Sequence, residues 1–309
     1  MTSPSSVATR SADVAAKGSR RRRPGLGRGP VRWVLAAPLL VFLALLVVFP
    51  IIYGIQSSLT SRTLLDPTPA WVGLGNYATV LTDTGFWHSV LFTLVYTVVV
   101  TAVELVLGFG LALLFDKEFP GKKFLLSSVI LPIMIAPALM GIMFRLLLNA
   151  NIGLVPGFLH AVGINTPLLS AGVVIPMLMA LDVVQWTPFT FLLFHAALQS
   201  VPGELHEAAQ LDRASYPRFV SSILLPLMTP TIFIAGFLRA IDAFRTFDTI
   251  NVLTSGGPGD NTTTLSIYIY KILSAGNFGT ASAAALLVAL IMLPLVPIVV
   301  RRITRGAVS

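Results

Sequence analysis

The chain has 309 residues, of which 55% are hydrophobic and only 11% are charged, and its formal net charge is +8. This composition is more apolar and less charged than that of an average soluble domain, which predicts an all-α polytopic membrane protein. The absence of cysteine excludes disulfides and cysteine-bound metals, and the basic residues flank apolar runs instead of forming a patch for nucleic acid.

The first 30 residues differ from the rest of the chain. They are rich in Ser, Ala, Arg, Gly and Pro, and four arginines follow one another at positions 20–23. Because this segment lacks apolar periodicity, residues 1–30 are predicted to form a disordered basic cytoplasmic tail. The tail either fixes the orientation of the chain in the membrane or binds anionic lipids, and the same charges support both interpretations.

Six apolar runs follow within a predicted membrane domain at residues 31–305. Each has about the 20 residues that a helix needs to cross the hydrocarbon core of a bilayer. The predicted spans are 33–55, 87–114, 124–148, 172–198, 221–245 and 280–300. Several of them contain proline, which bundled membrane helices tolerate because neighbouring helices satisfy the freed carbonyl groups.

The distribution of lysine and arginine predicts the orientation. Sixteen of the 21 basic residues lie in the tail, the 115–123 and 199–220 loops and the C-terminus, whereas the opposite loops hold only Arg62 and Lys271. Because basic residues concentrate on the cytoplasmic side, both termini are predicted to be cytoplasmic. The outer loops are then 56–86, 149–171 with a short interfacial helix, and 248–279 with a turn-rich segment at 254–259.

A polar stretch at 200–226 separates the fourth and fifth spans. Pro202 is predicted in the first turn of a short helix, and Ser215 with Pro217 predicts the start of a second helix. Ala208 and Ala209 lie on one face of the first helix, where small side chains allow the backbone of another protein to approach closely.

The same stretch carries a recognisable motif. Glu207-Ala-Ala-Gln-Leu-Asp212, followed by Ala214-Ser215 and Ile223-Leu-Leu-Pro226, resembles the EAA loop of ABC-importer permeases. Further matches to the carbohydrate branch of that family are Gly73-Leu-Gly-Asn-Tyr77, Trp186-Thr-Pro-Phe189, Ala197-Leu-Gln199, Phe247-Asp248, Gly256-Gly257-Pro258 and Phe278-Gly279. The resemblance therefore covers roughly residues 33–300, in the family's order.

The resemblance implies a type I ABC-importer permease fold with six transmembrane helices. Such a chain forms a heterodimer with a second permease subunit, docks on a dimer of ATPase subunits and receives solute from an extracytoplasmic solute-binding protein. The residues that would couple to the ATPase are Glu207, Ala208, Ala209, Leu211, Asp212 and Arg213. The chain has no phosphate-binding loop, so no cofactor is expected in it, and ATP with magnesium is expected in the partner ATPase.

One position departs from the motif. The family usually has glycine after the loop's aspartate, where this chain has Arg213. Because glycine permits a left-handed turn that arginine disfavours, the turn is expected to differ here. Arg213 is either a tolerated surface variant or a charged contact with the ATPase.

Polar side chains in the fourth span are candidates for the solute pathway. Asp182, Gln185, Trp186 and Phe189 lie on one helical face, and the combination of an acid, an amide and aromatic rings suits a sugar. The alternative is hydrogen bonding and packing between membrane helices.

The fifth span adds Arg239, Asp242 and Arg245 at three-residue spacing. They either form an ion-pair ladder, extend towards the membrane surface or contact the solute, and two arginines also leave an anionic solute possible. Glu104 is interpreted as structural and His195 as a packed neutral side chain. The spacing indicates no nucleophile–base pair and no metal cluster.

These observations predict a permease subunit for a sugar, disaccharide or polyol in the bacterial inner, or cytoplasmic, membrane. An importer of glycerol-3-phosphate or another small solute on the same scaffold is the alternative. A secondary transporter would require coupling carboxylates near the membrane midplane and often internal repeats, which the sequence does not indicate. A membrane enzyme is disfavoured because no catalytic constellation is apparent.

Overall fold

The computed structural model describes residues 31–66, 68–163 and 168–293. Within these ranges the chain forms helices and no β-strand, only an isolated bridge between Thr60 and Trp71. The α-helices are α1 (Val31–Ser58), α2 (Gly75–Thr82), α3 (Thr84–Asp116), α4 (Lys122–Ile130), α5 (Pro137–Leu147), α6 (Leu154–Ala161), α7 (Val174–Gln199), α8 (Gly203–Leu211), α9 (Tyr216–Phe219), α10 (Leu225–Phe244), α11 (Asp248–Thr254), α12 (Leu265–Ser274) and α13 (Phe278–Met292). The predicted basic tail and the basic C-terminus lie outside the described residues.

The chain divides into two units between Tyr53 and Gly54. In the first unit, α1 has an apolar sequence whose side chains are exposed almost throughout from Leu35 onward. An apolar helix with exposed side chains is stable in lipid and not in water, which agrees with the predicted first span.

Four helical segments are long and apolar enough to cross a membrane. They are Leu35–Ser58, Thr84–Asp116, Val174–Gln199 and Tyr216–Thr254. The first, second, fourth and fifth predicted spans are thereby confirmed as long apolar helices. The sixth falls on α13 and on residues beyond 293 that lie outside the described ranges, so the count of six spans stays a prediction.

The third predicted span, 124–148, is a broken helix in the structure, so its crossing of the membrane as one span stays a prediction. α4 continues into a 3-10 turn at Leu131–Met134, and the axis then bends by 97° before α5. Pro137 opens α5, and the residue before it, Ala136, is extended at φ −59° and ψ 137°. Proline disfavours helical geometry in the preceding residue, which accounts for the break.

α3 and α7 form the close helix pair of the second unit. A side chain at Gly108 would collide with the Thr190 hydroxyl and lie 2.9 Å from the Phe191 amide nitrogen. Thr190 donates from Oγ1 to the carbonyl of Glu104 at 2.8 Å, which ties the two helices together at the same level. A small residue at the contact therefore lets the backbones approach, as is common between membrane helices.

α3 also connects the two ends of this unit. Its 33 residues extend over about 50 Å at 1.5 Å per residue. Near its start Phe86 packs on Tyr268 of α12, with ring centroids 5.7 Å apart. Near its end Phe115 shares a buried cluster with Phe219 of α9. The 248–279 segment therefore lies at one end of α3 and the polar 200–226 stretch at the other.

The loops contain more helix than was predicted. α6 confirms the short helix expected within 149–171, but the turn-rich segment at 254–259 is flanked by two helices, α11 and α12, that were not expected. The turn itself is present, with Ser255 left-handed at φ 52°.

An ion pair links this turn to α12. The Lys271 ammonium donates to the Asp260 carboxylate at 2.8 Å and thereby lowers the pKa of that carboxyl.

Candidate functional site

The polar stretch 200–226 forms two short helices joined by a tight turn. α8 begins directly after Pro202, one position later than predicted, and Glu204 lies in its first turn near the positive end of the helix dipole. Ser215 precedes α9 and Pro217 lies in its first turn, as predicted, although the Ser215 side chain makes no capping hydrogen bond.

The turn between α8 and α9 is a Schellman motif. The Ala214 amide donates to the Ala209 carbonyl at 2.9 Å, and the Arg213 amide donates to the Gln210 carbonyl at 3.0 Å. Arg213 has a φ of 53°, in the left-handed region. The turn thus keeps the conformation that glycine would adopt, and the expectation that arginine would change it was wrong.

The predicted coupling residues divide into an exposed group and a buried one. Glu207, Ala208, Leu211, Asp212 and Arg213 are exposed, and Leu211 retains 85% of its surface. Ala209 is buried in the cluster that contains Phe194 and Phe219. The small side chain of Ala209 therefore allows close packing within this chain. The exposed Ala208 instead allows the backbone of another protein to approach α8.

A groove of about 490 Å³ runs beside this turn. Asp212, Arg213 and Arg218 form part of its polar wall, and Phe219 and Ile223 form part of its apolar wall. The groove is lined in part by Arg213, the left-handed residue, so the conformation of the turn determines the shape of this surface.

The predicted pathway residues line two cavities between α7, α10 and α11. The first, of about 440 Å³, is lined by Trp186, Phe189, Arg239, Asp242 and Arg245, among others. The second, of about 320 Å³, shares Trp186, Asp242 and Arg245 and adds Asp182 and Asp248. The structure thus brings six of the seven predicted residues together.

Gln185 is the predicted residue that lines neither of these two cavities. It is 2% exposed, and its side-chain amide donates to the Ile135 carbonyl at 3.0 Å. That carbonyl lies at the break between α4 and α5, where the helical hydrogen bonding is interrupted. For Gln185 the interhelical alternative therefore describes the observed contact.

Arg239 is the centre of a buried ionic cluster. It is 1% exposed, and its Nε and Nη2 donate to the two carboxylate oxygens of Glu104 at 2.5 and 3.0 Å. Nη2 also donates to Asp182, and Nη1 donates to Asp242 at 3.3 Å. Charged groups buried this deeply are stable only when paired, so the cluster joins α3, α7 and α10.

The pairing of Glu104 with Arg239 was not predicted. The sequence indicated Glu104 as structural, but its partner lies 135 residues away, beyond the reach of any local pattern. The available signal was chemical, since an acid and an arginine at membrane depth each require an opposite charge.

The predicted ladder on α10 is present as well. Arg245 donates to Asp242 at 3.0 Å, with 75% of the arginine side chain exposed. Both arginines of the first cavity therefore have carboxylate partners. The Arg239 guanidinium also lies 5.1 Å from the centre of the Trp186 ring, at cation–π distance.

His195 packs as predicted. Its ring stacks on Phe191 with centroids 5.5 Å apart, and its Nε2 lies 3.2 Å from the Gln199 side-chain nitrogen. Within the described ranges no three acidic or histidine side chains converge in a way that could hold a metal ion.

Comparison with known proteins shows the family to which this chain belongs. Residues 104–306 match the family described as the inner membrane component of binding-protein-dependent transport systems. The trehalose/maltose permease MalF of Thermococcus litoralis is 33% identical over 264 residues, covering 84% of this chain and 89% of that protein. The trehalose permease SugA of Mycobacterium tuberculosis is 34% identical over 260 residues, covering 83% of each chain.

A further relative transports a phosphorylated solute. The sn-glycerol-3-phosphate permease UgpA of Agrobacterium fabrum is 29% identical over 269 residues, covering 85% of this chain and 91% of that protein. Among solved structures, a bacterial ABC transporter that imports the acidic polysaccharide alginate matches with a TM-score of 0.77 and 23% identity, covering 89% of this chain and 97% of that one. At that identity the likeness shows the fold.

The family match covers about two thirds of the chain, and two relatives exceed 30% identity over most of it. The protein is a multi-pass membrane transport subunit rather than an enzyme, and ATP hydrolysis falls to a separate ATPase. The chain belongs to the family of inner membrane components of binding-protein-dependent transport systems, the permease subunits of ABC importers.

Proposed function

We propose that this permease forms half of the pathway for a neutral carbohydrate, such as a disaccharide or polyol, and that the two cavities between α7, α10 and α11 are part of that pathway. The observation that carries the proposal is the first cavity's wall, where Trp186 and Phe189 lie beside Asp242 and Arg245. Aromatic faces pack on the apolar faces of sugar rings, and paired charges exchange hydrogen bonds with hydroxyl groups.

The charges at the cavity favour a neutral solute over an anionic one. Arg239 and Arg245 are both engaged by carboxylates, and Asp182 and Asp248 add negative charge in the second cavity. A phosphate group needs a free cation or an unengaged guanidinium fork. In the described cavity walls Arg239 is engaged by three carboxylates and Arg245 shares its charge with Asp242, so glycerol-3-phosphate is the less favoured solute.

The exposed face of α8 suits docking to an ATPase. Glu207, Ala208 and Leu211 are all exposed, and an apolar side chain as open as Leu211 gains stability when a partner covers it. In this assembly the chain pairs with a second permease subunit, an ATPase dimer and an extracytoplasmic solute-binding protein. ATP and Mg²⁺ are bound by the ATPase, and the basic loops and both termini are cytoplasmic.

Transport by the reconstituted importer tests the solute class. The permease pair, ATPase and binding protein in liposomes should take up trehalose or maltose in an ATP-dependent, saturable manner, and glycerol-3-phosphate much more slowly. At saturating binding protein, Trp186→Ala should lower the transport rate about fivefold or more, since packing of a sugar ring on an aromatic ring contributes about 1 kcal/mol or more per contact.

Val184→Ala is the matched control, because Val184 is exposed on the same helix and lines neither cavity. It should transport at the unmodified rate. Preferred uptake of glycerol-3-phosphate would contradict the neutral-carbohydrate assignment, and an unchanged rate for Trp186→Ala would remove the cavity from the pathway.

A further inference from the structure

We propose that Glu104, which lines neither of the two solute cavities, is a positioning residue for solute selection. Its carboxylate holds the Arg239 guanidinium against Trp186 and Asp242, and this fixes one wall of the first cavity. The inference rests on the proposed function, because it concerns the same cavity.

The contact between Glu104 and Arg239 is bidentate. Nε and Nη2 of the arginine reach the two different carboxylate oxygens at 2.5 and 3.0 Å, and both side chains are at most 1% exposed. Two parallel hydrogen bonds define the plane of a guanidinium as well as its place. Glu104 therefore determines how the arginine lies between α3 and α10.

The orientation of Arg239 is transmitted to the cavity by two contacts. Its guanidinium carbon is 5.1 Å from the Trp186 ring centre, and its Nη1 donates to Asp242 at 3.3 Å. Trp186, Arg239 and Asp242 all line the first cavity. A change in the angle of the guanidinium thus moves the ring and the carboxylate on which a solute would lie.

α3 and α7 are also held together by contacts that do not involve this carboxylate. Gly108 already allows the backbones to meet, and Thr190 bonds to the backbone carbonyl of Glu104, not to its side chain. The Glu104 side chain instead reaches α10, where its partner belongs to the cavity wall. Glu104 thus makes two kinds of contact: its backbone carbonyl helps to pack α3 on α7, and its carboxylate positions Arg239.

Glu104 also contributes to the charge of the cluster. With Asp182 and Asp242 it gives three carboxylates against the guanidiniums of Arg239 and Arg245. Replacing Glu104 with glutamine keeps the volume, removes one negative charge and leaves Arg239 with fewer anionic partners. The variant should therefore bind an anionic solute better than the unmodified protein does.

Direct binding to the assembled permease–ATPase complex in nanodiscs, without the binding protein, tests the proposal. Saturation-transfer NMR would measure the Kd of trehalose and of glycerol-3-phosphate. For Glu104→Gln the Kd of trehalose should rise about tenfold and that of glycerol-3-phosphate should fall, because a charged hydrogen-bonded fork is lost. Thr190→Val, which removes the hydroxyl's hydrogen bonds to the Glu104 and Thr187 carbonyls and leaves the Glu104 carboxylate in place, should lower thermal stability and leave both Kd values within about twofold.

Glu104→Asp keeps the carboxylate on a side chain that is shorter by one methylene group. The Kd of this variant for trehalose should lie between those of the unmodified protein and of Glu104→Gln. If Glu104→Gln does not assemble, Glu104→Asp carries the test, and an unmodified Kd for it would overturn the proposal. Unchanged selectivity in Glu104→Gln, or the same shift in Thr190→Val, would also overturn it. If Trp186→Ala leaves trehalose binding unchanged as well, the solute cavity itself is misassigned, which is a distinct failure.

Discussion

The Ala214 amide donates to the Ala209 carbonyl at 2.9 Å across a residue, Arg213, whose φ is 53°. This helix end keeps the hydrogen bonds of a glycine turn while an arginine occupies the left-handed position. A left-handed conformation costs a residue with a Cβ roughly 1–2 kcal/mol. The rest of the loop, including the buried Ala209, supplies the stability that holds it there.

Arg213→Gly should stabilise the protein. Removing the Cβ relieves the left-handed strain, and part of the gain is offset by the greater freedom of glycine in the unfolded chain, so a net gain of about 1 kcal/mol is expected. Thermal unfolding of the purified chain in detergent would measure it as a higher Tm. Arg213→Ala removes the charge but keeps the Cβ, and it should show no such gain; an equal rise in both variants would contradict the backbone explanation.

The two alanines of α8 should respond in opposite ways to a larger side chain. Ala209 is buried against Phe194 and Phe219, so Ala209→Leu should destabilise the chain by about 1–3 kcal/mol through overpacking. Ala208 is exposed, so Ala208→Leu should leave the Tm unchanged and reduce copurification of the ATPase. Normal ATPase recovery with Ala208→Leu would argue against docking on this face.

The positions of the long spans followed from the sequence, whereas the break near residue 135 did not. A run of about 20 apolar residues has few other stable forms in lipid. Proline is ambiguous by comparison, since Pro188 and Pro230 lie inside the continuous helices α7 and α10, while Pro137 ends one helix and opens the next. Only the packing around each proline decides between these outcomes.

Within the candidate pathway, helical spacing grouped Asp182, Trp186 and Phe189 on α7. It could not show that Asp182 faces Arg239 of α10, or that Glu104 of α3 completes the same cluster. Those contacts depend on the rotation of three helices, which side-chain periodicity along one helix does not determine. Asp182 is therefore both a cavity residue and an ion-pair partner.

The loop between α11 and α12 should loosen in acid. The Lys271 ammonium lowers the pKa of Asp260 below its usual value near 3.9, so the ion pair stabilises the loop above that pH and is lost as the pH falls through the lowered pKa. Both side chains are well exposed, which limits the contribution to about 0.5 kcal/mol. Hydrogen exchange of the Thr262 amide, which donates to Gly256, would report it.

Asp260→Asn should reduce the protection of that amide at pH 6, and the difference from the unmodified protein should disappear in strong acid. Lys122→Met, which removes an ion pair with Glu118 at the far end of α3, is the control and should leave this loop unchanged. A difference that persists undiminished below the lowered pKa would assign the effect to something other than the ion pair.

The contact at Gly108 gives the sharpest prediction for stability. A methyl group there meets Thr190 and the backbone of Phe191, so Gly108→Ala forces α3 and α7 apart and should cost about 1–3 kcal/mol. Gly110, two residues further along α3, has nothing within 4 Å of the same methyl group. Gly110→Ala should therefore be neutral or slightly stabilising, since alanine favours helix. Equal melting temperatures for the two variants would show that α3 and α7 do not meet at Gly108.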